Sequence, residues 1–144
     1  LLADDFLTYD NKSVTADLVQ SFNNTGKSQL SVMKIDGPDI SKYGVVVPNN
    51  NNNMVVGLVE KPPLEDAPSN LASIGRYVLT PDIFETLRNQ SAGSGGEIQL
   101  SDAINSQALQ GNVELVQLNG NRFDCGSVNG YLEAIIHMAK QYNL

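Results

Sequence analysis

Three short stretches place reactive side chains where a strand would end. "LLADDF" puts two adjacent carboxylates, Asp4 and Asp5, after an apolar run. "VEKPP" puts Glu60 beside Lys61, with Pro62 behind them to stop a ladder. "FDCGS" puts Asp124 and Cys125 just before Gly126. Ligands of open α/β sheets gather beyond the carboxyl ends of the strands. A carboxylate there can hold a divalent cation, and a lysine can neutralise a phosphate. Each stretch also has a plain structural reading. Asp4 and Asp5 can be turn or cap residues, Glu60 and Lys61 a solvated pair at a sheet edge, and Asp124 a turn former. Neighbouring strand residues point to opposite faces, so Glu60 and Lys61 serve one ligand only if the backbone turns between them. Cys125, the one cysteine, reads as a small packed residue rather than a nucleophile. His137, the one histidine, has no acidic or metal-like partner nearby in sequence and reads as a surface or packing residue. No CxxC, HExxH or Ser-His-Asp pattern accompanies them.

The elements that must position these groups alternate along the chain. "LLA" reads as the end of a buried strand. Thr15 then precedes a helix with Leu18, Val19 and Phe22 on one face and Gly26 as its stop. "QLSVMKI" alternates apolar and polar residues as a strand does. "YGVVV" and "MVVGLVE" read as a hairpin across "PNNNNN", a loop in which asparagines tolerate left-handed backbone. "NLASIGRYVLT" is a strand, and Thr80-Pro81-Asp82 starts a helix. "SAGSGGE" is a flexible joint and not a phosphate loop, because no Gly-Lys-Ser/Thr follows. "IQLSDAINSQAL" is a helix, "NVELVQL" a strand, and "NRFDCGS" a strand end or turn. The last stretch spaces Tyr131, Ala134, Ile135, Met138 and Tyr142 along one helical stripe, which reads as core packing. Strands alternating with helices, plus one hairpin, predict an α/β domain with a mixed sheet.

The 144 residues suffice for a single domain spanning 1–144. The net charge is −7, and nine Lys and Arg lie scattered rather than clustered. No basic patch forms, so a nucleic-acid partner is not expected. The longest apolar runs are too short to cross a bilayer and no leader pattern is visible. No membrane partner and a cytoplasmic location are therefore expected, and a lone cysteine fits a reducing compartment.

Taken in order, "LLADD", "KYGVV", "VEKP", "APSNLASIGRYVL", "GGEIQLSDAI" and "FDCGSVNGYLEA" resemble the motifs of the bacterial UTP–glucose-1-phosphate uridylyltransferases. These belong to the sugar-phosphate nucleotidyltransferase superfamily. The resemblance implies the C-terminal part of a nucleotide-diphospho-sugar transferase (Rossmann-like) fold. It implies the sugar-phosphate-binding half of such an enzyme, without the N-terminal half that carries the "GxGTRxxPxTK"-type loop for the nucleotide. It implies UTP, glucose 1-phosphate and UDP-glucose as partners and Mg2+ as cofactor. By the same resemblance Asp4 and Asp124 match the magnesium-binding aspartates, while Asp5 stands where the family varies. Gly44 matches the glycine whose backbone approaches the sugar, Glu60 the acid that accepts from its hydroxyls, and Lys61 the lysine on its phosphate. Asn70 and Gly75 fall in the segment that lines the sugar pocket. Where the family usually has a lysine after "DCGS", Val128-Asn129-Gly130-Tyr131 stands here, with one positive charge fewer. A half-sheet leaves an open edge that recruits partners, so a homo-oligomer is expected. The alternatives are a nucleotide-sugar-binding module without turnover, an oligomerisation fragment, and a regulatory paralogue.

Overall fold

A computed structural model describes residues 2–92 and 96–143 of the chain. Its main sheet has five strands: β2 (Ser28–Lys34), β3 (Gly44–Pro48), β4 (Val55–Glu60), β5 (Leu71–Val78) and β6 (Val113–Gln117). Their order is β4-β3-β5-β2-β6. Only β2 and β6 run parallel, so the sheet is mixed as expected. Helix α1 (Val14–Thr25) lies on one face, where buried Gln29 of β2 donates to Thr25 Oγ1. On the other face Leu30 and Val32 pack with Ala103, Ile104 and Ala108 of helix α3 (Leu100–Leu109) and with Ile83 of α2 (Ile83–Asn89). Period-2 alternation in β2 thus feeds two helical layers. Buried Gln107 ties this second layer together: it accepts from Ser28 Oγ and donates to Asp82 Oδ2 and Thr80 Oγ1. Among the described residues no helix is long and apolar enough to cross a membrane.

Several local expectations shift. The α1 cap is Ser13, whose Oγ accepts from the Ala16 amide, and not Thr15. Leu18 is buried but Val19 is exposed, because the inward stripe follows Val14 and Leu18, one full turn apart. The asparagine loop needs no left-handed residue: among the described residues only Lys61 and Asn143 have positive φ besides glycines. The Asn49 amide donates to the Met54 carbonyl to close the loop, and Asn49 Oδ1 accepts from the Asn51 amide and Asn52 Oδ1 from that of Met54. The expected joint "SAGSGGE" falls partly on residues 93–95, outside the described residues.

The larger corrections concern the two ends. The opening strand is not "LLA". Leu1 lies outside the described residues, Leu2 is exposed, and the first strand, β1, runs Asp5–Leu7. It pairs antiparallel with β7 (Arg122–Asp124) in a two-stranded sheet of its own, with Asp5 opposite Asp124. The last helix, α4 (Val128–Gln141), packs on β7, but its apolar stripe is not core. Ala134 is buried while Tyr131, Ile135 and Tyr142 are exposed, because two short strands give a fourteen-residue helix little area to cover.

Strand β5 carries the irregularity that joins the two sheets. Its register with β2 jumps from Leu30↔Tyr77 to Val32↔Ser73, so extra β5 residues loop out between them. Ser31 Oγ fills the gap, donating to the Arg76 carbonyl and accepting from the Arg76 amide. Gly75 sits inside the bulge at φ 71°, where its carbonyl accepts from the Leu2 amide. A Cβ on Gly75 would stand 2.7 Å from Leu2 and 2.9 Å from Asp5 Oδ2.

Two stability outcomes follow from this packing. Leu30→Ala should lower unfolding free energy by about 3 kcal/mol in urea, with an unchanged slope. Gly75→Ala should lower it by about 1–2 kcal/mol from the backbone alone, and more if Asp5 has to move. A Gly75→Ala variant as stable as the parent would mean that β1 does not rest on the bulge.

Candidate functional site

The carboxyl ends of β3's neighbours and the β1–β7 pair enclose a cavity of about 370 Å3, within the size range of small-molecule sites. Asp4, Gly44, Glu60, Lys61 and Asp124 all line it. So do Asp5, Tyr43, Ser73, Tyr77 and Arg122, and Ser101 and Ile104 of α3. Five of the seven residues singled out from the sequence therefore meet in one hollow. Asn70 does not line it. Its Nδ2 donates to Asp36 Oδ1 at 2.9 Å, in a separate depression by Ile40 and Leu64. Gly75 does not line it either, and serves the bulge that seats Leu2 and Asp5.

Glu60 and Lys61 reach the same cavity because the chain turns between them. Glu60 ends β4 opposite Gly44, and Lys61 has φ 45° while its amide still donates to the Tyr43 carbonyl. A side-chain-bearing residue in this left-handed region costs about 1–2 kcal/mol. Such strain concentrates where function requires an orientation. A Cβ on Gly44 would lie 3.1 Å from Glu60 Oε2, so glycine leaves the Glu60 carboxylate its position.

Asp4 and Asp124 both approach the open side of Gly126. A Cβ on Gly126 would meet Asp4 Oδ2 at 2.9 Å and Asp124 Oδ1 at 3.1 Å, so glycine keeps the space between the carboxylates open. The Cys125 amide donates to the Asp4 carbonyl and holds the two strands' ends together, while the Gly126 amide donates to Asp124 Oδ1 and fixes that carboxylate over its own turn. Two unit charges of one sign repel by about 1 kcal/mol at 4 Å in water, and more in a less polar site. A divalent cation turns that repulsion into attraction. Among the described residues no group of three or more His, Cys, Asp or Glu could hold a metal. Two carboxylates suit Mg2+, which keeps waters and takes its other ligands from substrate phosphates.

Asp5 is the residue that sequence reasoning set aside. It is buried and ion-paired to Arg122 Nη2. Arg122 Nη1 donates to the Tyr43 hydroxyl at 2.7 Å, and the guanidinium lies 5.0 Å from the Tyr43 ring centre. Burial raises the Asp5 pKa above its ordinary value, and the charge and hydrogen bond of Arg122 oppose that shift without cancelling it. Burial likewise raises the Tyr77 pKa, against a hydrogen bond from Ser73, so this hydroxyl stays protonated at neutral pH and can donate into the cavity. Nothing in the local sequence signals this pair, because its two members are 117 positions apart and meet only across the β1–β7 ladder.

A second hollow of about 690 Å3 is lined by β1 and the apolar stripe of α4, with Tyr131, Ile135 and Met138. It shares Asp4 and Asp5 with the first but brings no lysine. His137 stacks near Phe123, with ring centres 5.0 Å apart, in keeping with a packing role.

The Nucleotidyl transferase family profile matches residues 1–141. The chain belongs to the nucleotidyl transferase family. It is 43% identical over 138 residues to a UTP–glucose-1-phosphate uridylyltransferase of Pseudomonas aeruginosa, covering 93% of this chain and 50% of that protein. It is 40% identical to one of Streptococcus pyogenes, covering 99% and 49%. Among solved structures, a UDP-glucose pyrophosphorylase complexed with UDP-glucose matches with a TM-score of 0.90 and 40% identity, over 97% of this chain and 55% of that one. The mixed α/β fold expected from the sequence is thus the fold of these nucleotidyl transferases. The chain spans about half the length of the curated relatives it matches.

Glycine is the natural occupant of a left-handed position, so Lys61→Gly should leave stability unchanged or raise it by about 1 kcal/mol. A clear fall in its thermal midpoint would show that the Lys61 side chain, and not the turn, is what the fold uses.

Proposed function

We propose that the chain is the sugar-phosphate-binding half of a UTP–glucose-1-phosphate uridylyltransferase, which forms UDP-glucose and pyrophosphate. The observation that carries this reading is the convergence of Asp4, Gly44, Glu60, Lys61 and Asp124 on one cavity, from four separate segments of the chain. The relatives' names and the match to a structure holding UDP-glucose support the choice of sugar and nucleotide.

The residues divide the work by their chemistry. Glu60 accepts hydrogen bonds from sugar hydroxyls, and the protonated Tyr77 hydroxyl, itself accepting from Ser73, donates to them. The Gly44 backbone lies against the sugar face, with no Cβ to obstruct it. Lys61 neutralises the phosphate of glucose 1-phosphate, whose oxygen attacks the α-phosphorus of UTP while pyrophosphate leaves. Asp4 and Asp124 would hold Mg2+, which offsets the repulsion between the two phosphorylated reactants. The rest is positioning, and no protein nucleophile is required. Asn70 has no direct part in this reading, because it lies in another depression. The nucleotide loop of the "GxGTR" type is not in this sequence. Turnover therefore belongs to a chain that includes the nucleotide half. A soluble, cytoplasmic setting and assembly into homo-oligomers complete the proposal.

Calorimetric titration of the 144-residue chain with glucose 1-phosphate and with UDP-glucose, in Mg2+, tests it directly. Binding should weaken at least tenfold in Glu60→Gln and Lys61→Ala, and lose its Mg2+ dependence in Asp4→Asn. Affinity indifferent to all three substitutions would reject this cavity as the sugar site. A parallel assay of pyrophosphate release from UTP should give none without the nucleotide half.

A further inference from the structure

We propose that Arg76, delivered by the β5 bulge, is a positioning residue for Asp4. Asp4 lies outside the strand ladder, because pairing with β7 starts only at Asp5↔Asp124. Its backbone is nonetheless bracketed. Arg76 Nη1 donates to the Leu2 carbonyl at 3.0 Å and Nη2 to the Asp5 carbonyl at 2.6 Å, one on each side of the Ala3-Asp4 turn. On the far side, the Cys125 amide donates to the Asp4 carbonyl at 2.8 Å. The rigid planar fork of a guanidinium suits two carbonyls in this way, and an ammonium can satisfy only part of it. The bulge explains why Arg76 is available. Both its backbone groups are taken by Ser31 Oγ, which fixes the residue's direction out of the sheet. The neighbouring Gly75 lets Leu2 and Asp5 approach closely enough to be held.

The charge on Arg76 gives the idea a sign that can be read. Arg76 spends its hydrogen bonds on neutral carbonyls, so its positive charge still repels any cation held by Asp4 and Asp124. An arginine acting only through its field would weaken cation binding, and removing it would tighten that binding. An arginine that positions Asp4 does the opposite. The inference rests on the reading that Asp4 and Asp124 hold a divalent cation, and two separate measurements keep the two ideas apart.

The first measurement is Mn2+ titration followed by electron paramagnetic resonance in the parent chain, Asp4→Asn, Arg76→Met and Arg76→Lys. The second is amide hydrogen exchange at Cys125, with Leu30 in the core as reference. Arg76→Met should bind Mn2+ at least fivefold more weakly, and Arg76→Lys should fall between it and the parent. Cys125 exchange in Arg76→Met should accelerate about tenfold while Leu30 stays unchanged. Unchanged or tighter Mn2+ binding in Arg76→Met would overturn the proposal, as would equal acceleration at Cys125 and Leu30, which marks a merely structural arginine. If the parent chain binds no Mn2+, or Asp4→Asn binds it equally well, the cation reading falls. Arg76 then stands or falls as the clamp on Asp4 by the Cys125 exchange alone.

Discussion

The buried contact between the Asp5 carboxylate and the Arg122 guanidinium fixes the register in which the candidate site is assembled. Asp5 lies next to Asp4, Arg122 lies two residues before Asp124, and the same guanidinium holds the Tyr43 hydroxyl one residue before Gly44. One side chain therefore ties the strands of both aspartates to the start of β3. A buried ion pair is a poor source of net stability, since desolvation offsets most of the attraction. Its value here is geometric: a slip of one residue between β1 and β7 would leave the Asp5 charge buried without a partner, at about 3–5 kcal/mol. That penalty keeps two three-residue strands in place when their few backbone hydrogen bonds would not.

The parts of the fold legible in the sequence are those with enough residues to show a period. Strands β2, β3 and β4 and helices α1 and α3 follow their apolar spacing, and the Gly26 stop sits in a left-handed cap at φ 69°. Short elements gave no period to read. Strands β1 and β7 have three residues each, so the opening apolar run reads as the strand, whereas the ladder starts at Asp5. The stripe on α4 shows the converse limit. Its spacing predicted the helix correctly, but period alone cannot say what the face will meet, and Tyr131 and Ile135 stay exposed.

For the site, local sequence located the side chains but not their partners. Glu60, Lys61, Asp4 and Asp124 are each visible as a polar group at a strand end, Gly44 follows only from the resemblance, and all five share a cavity. Gly75 and Asn70 came from their segment rather than from their own chemistry, and the structure gives each another task. Gly75 serves a bulge whose existence depends on a register jump against β2, a relation between residues more than forty positions apart. Asn70 binds Asp36 at the end of the β2–β5 ladder, 34 positions away in sequence. Arg76 and Arg122 were unreadable for the same reason, because their partners are distant in sequence and close only after the two sheets have met.

These cases share a physical pattern. Three departures from local rules lie at the cavity or directly behind it. Lys61 takes a conformation that suits glycine, Asp5 is a charge inside the protein, and β5 interrupts its own ladder at Gly75. Each departure costs stability where it occurs, and each is offset by a long-range contact: the Tyr43 carbonyl for Lys61, Arg122 for Asp5, Ser31 for the bulge. Violations of local preference that are compensated only through distant partners are expected at sites shaped for function. Here they fall on three different segments: Lys61 and Asp5 line one hollow, and the bulge at Gly75 seats Asp5 behind it. That convergence is an argument for a binding site independent of any resemblance, since a scaffold selected for stability alone would have had no reason to retain all three.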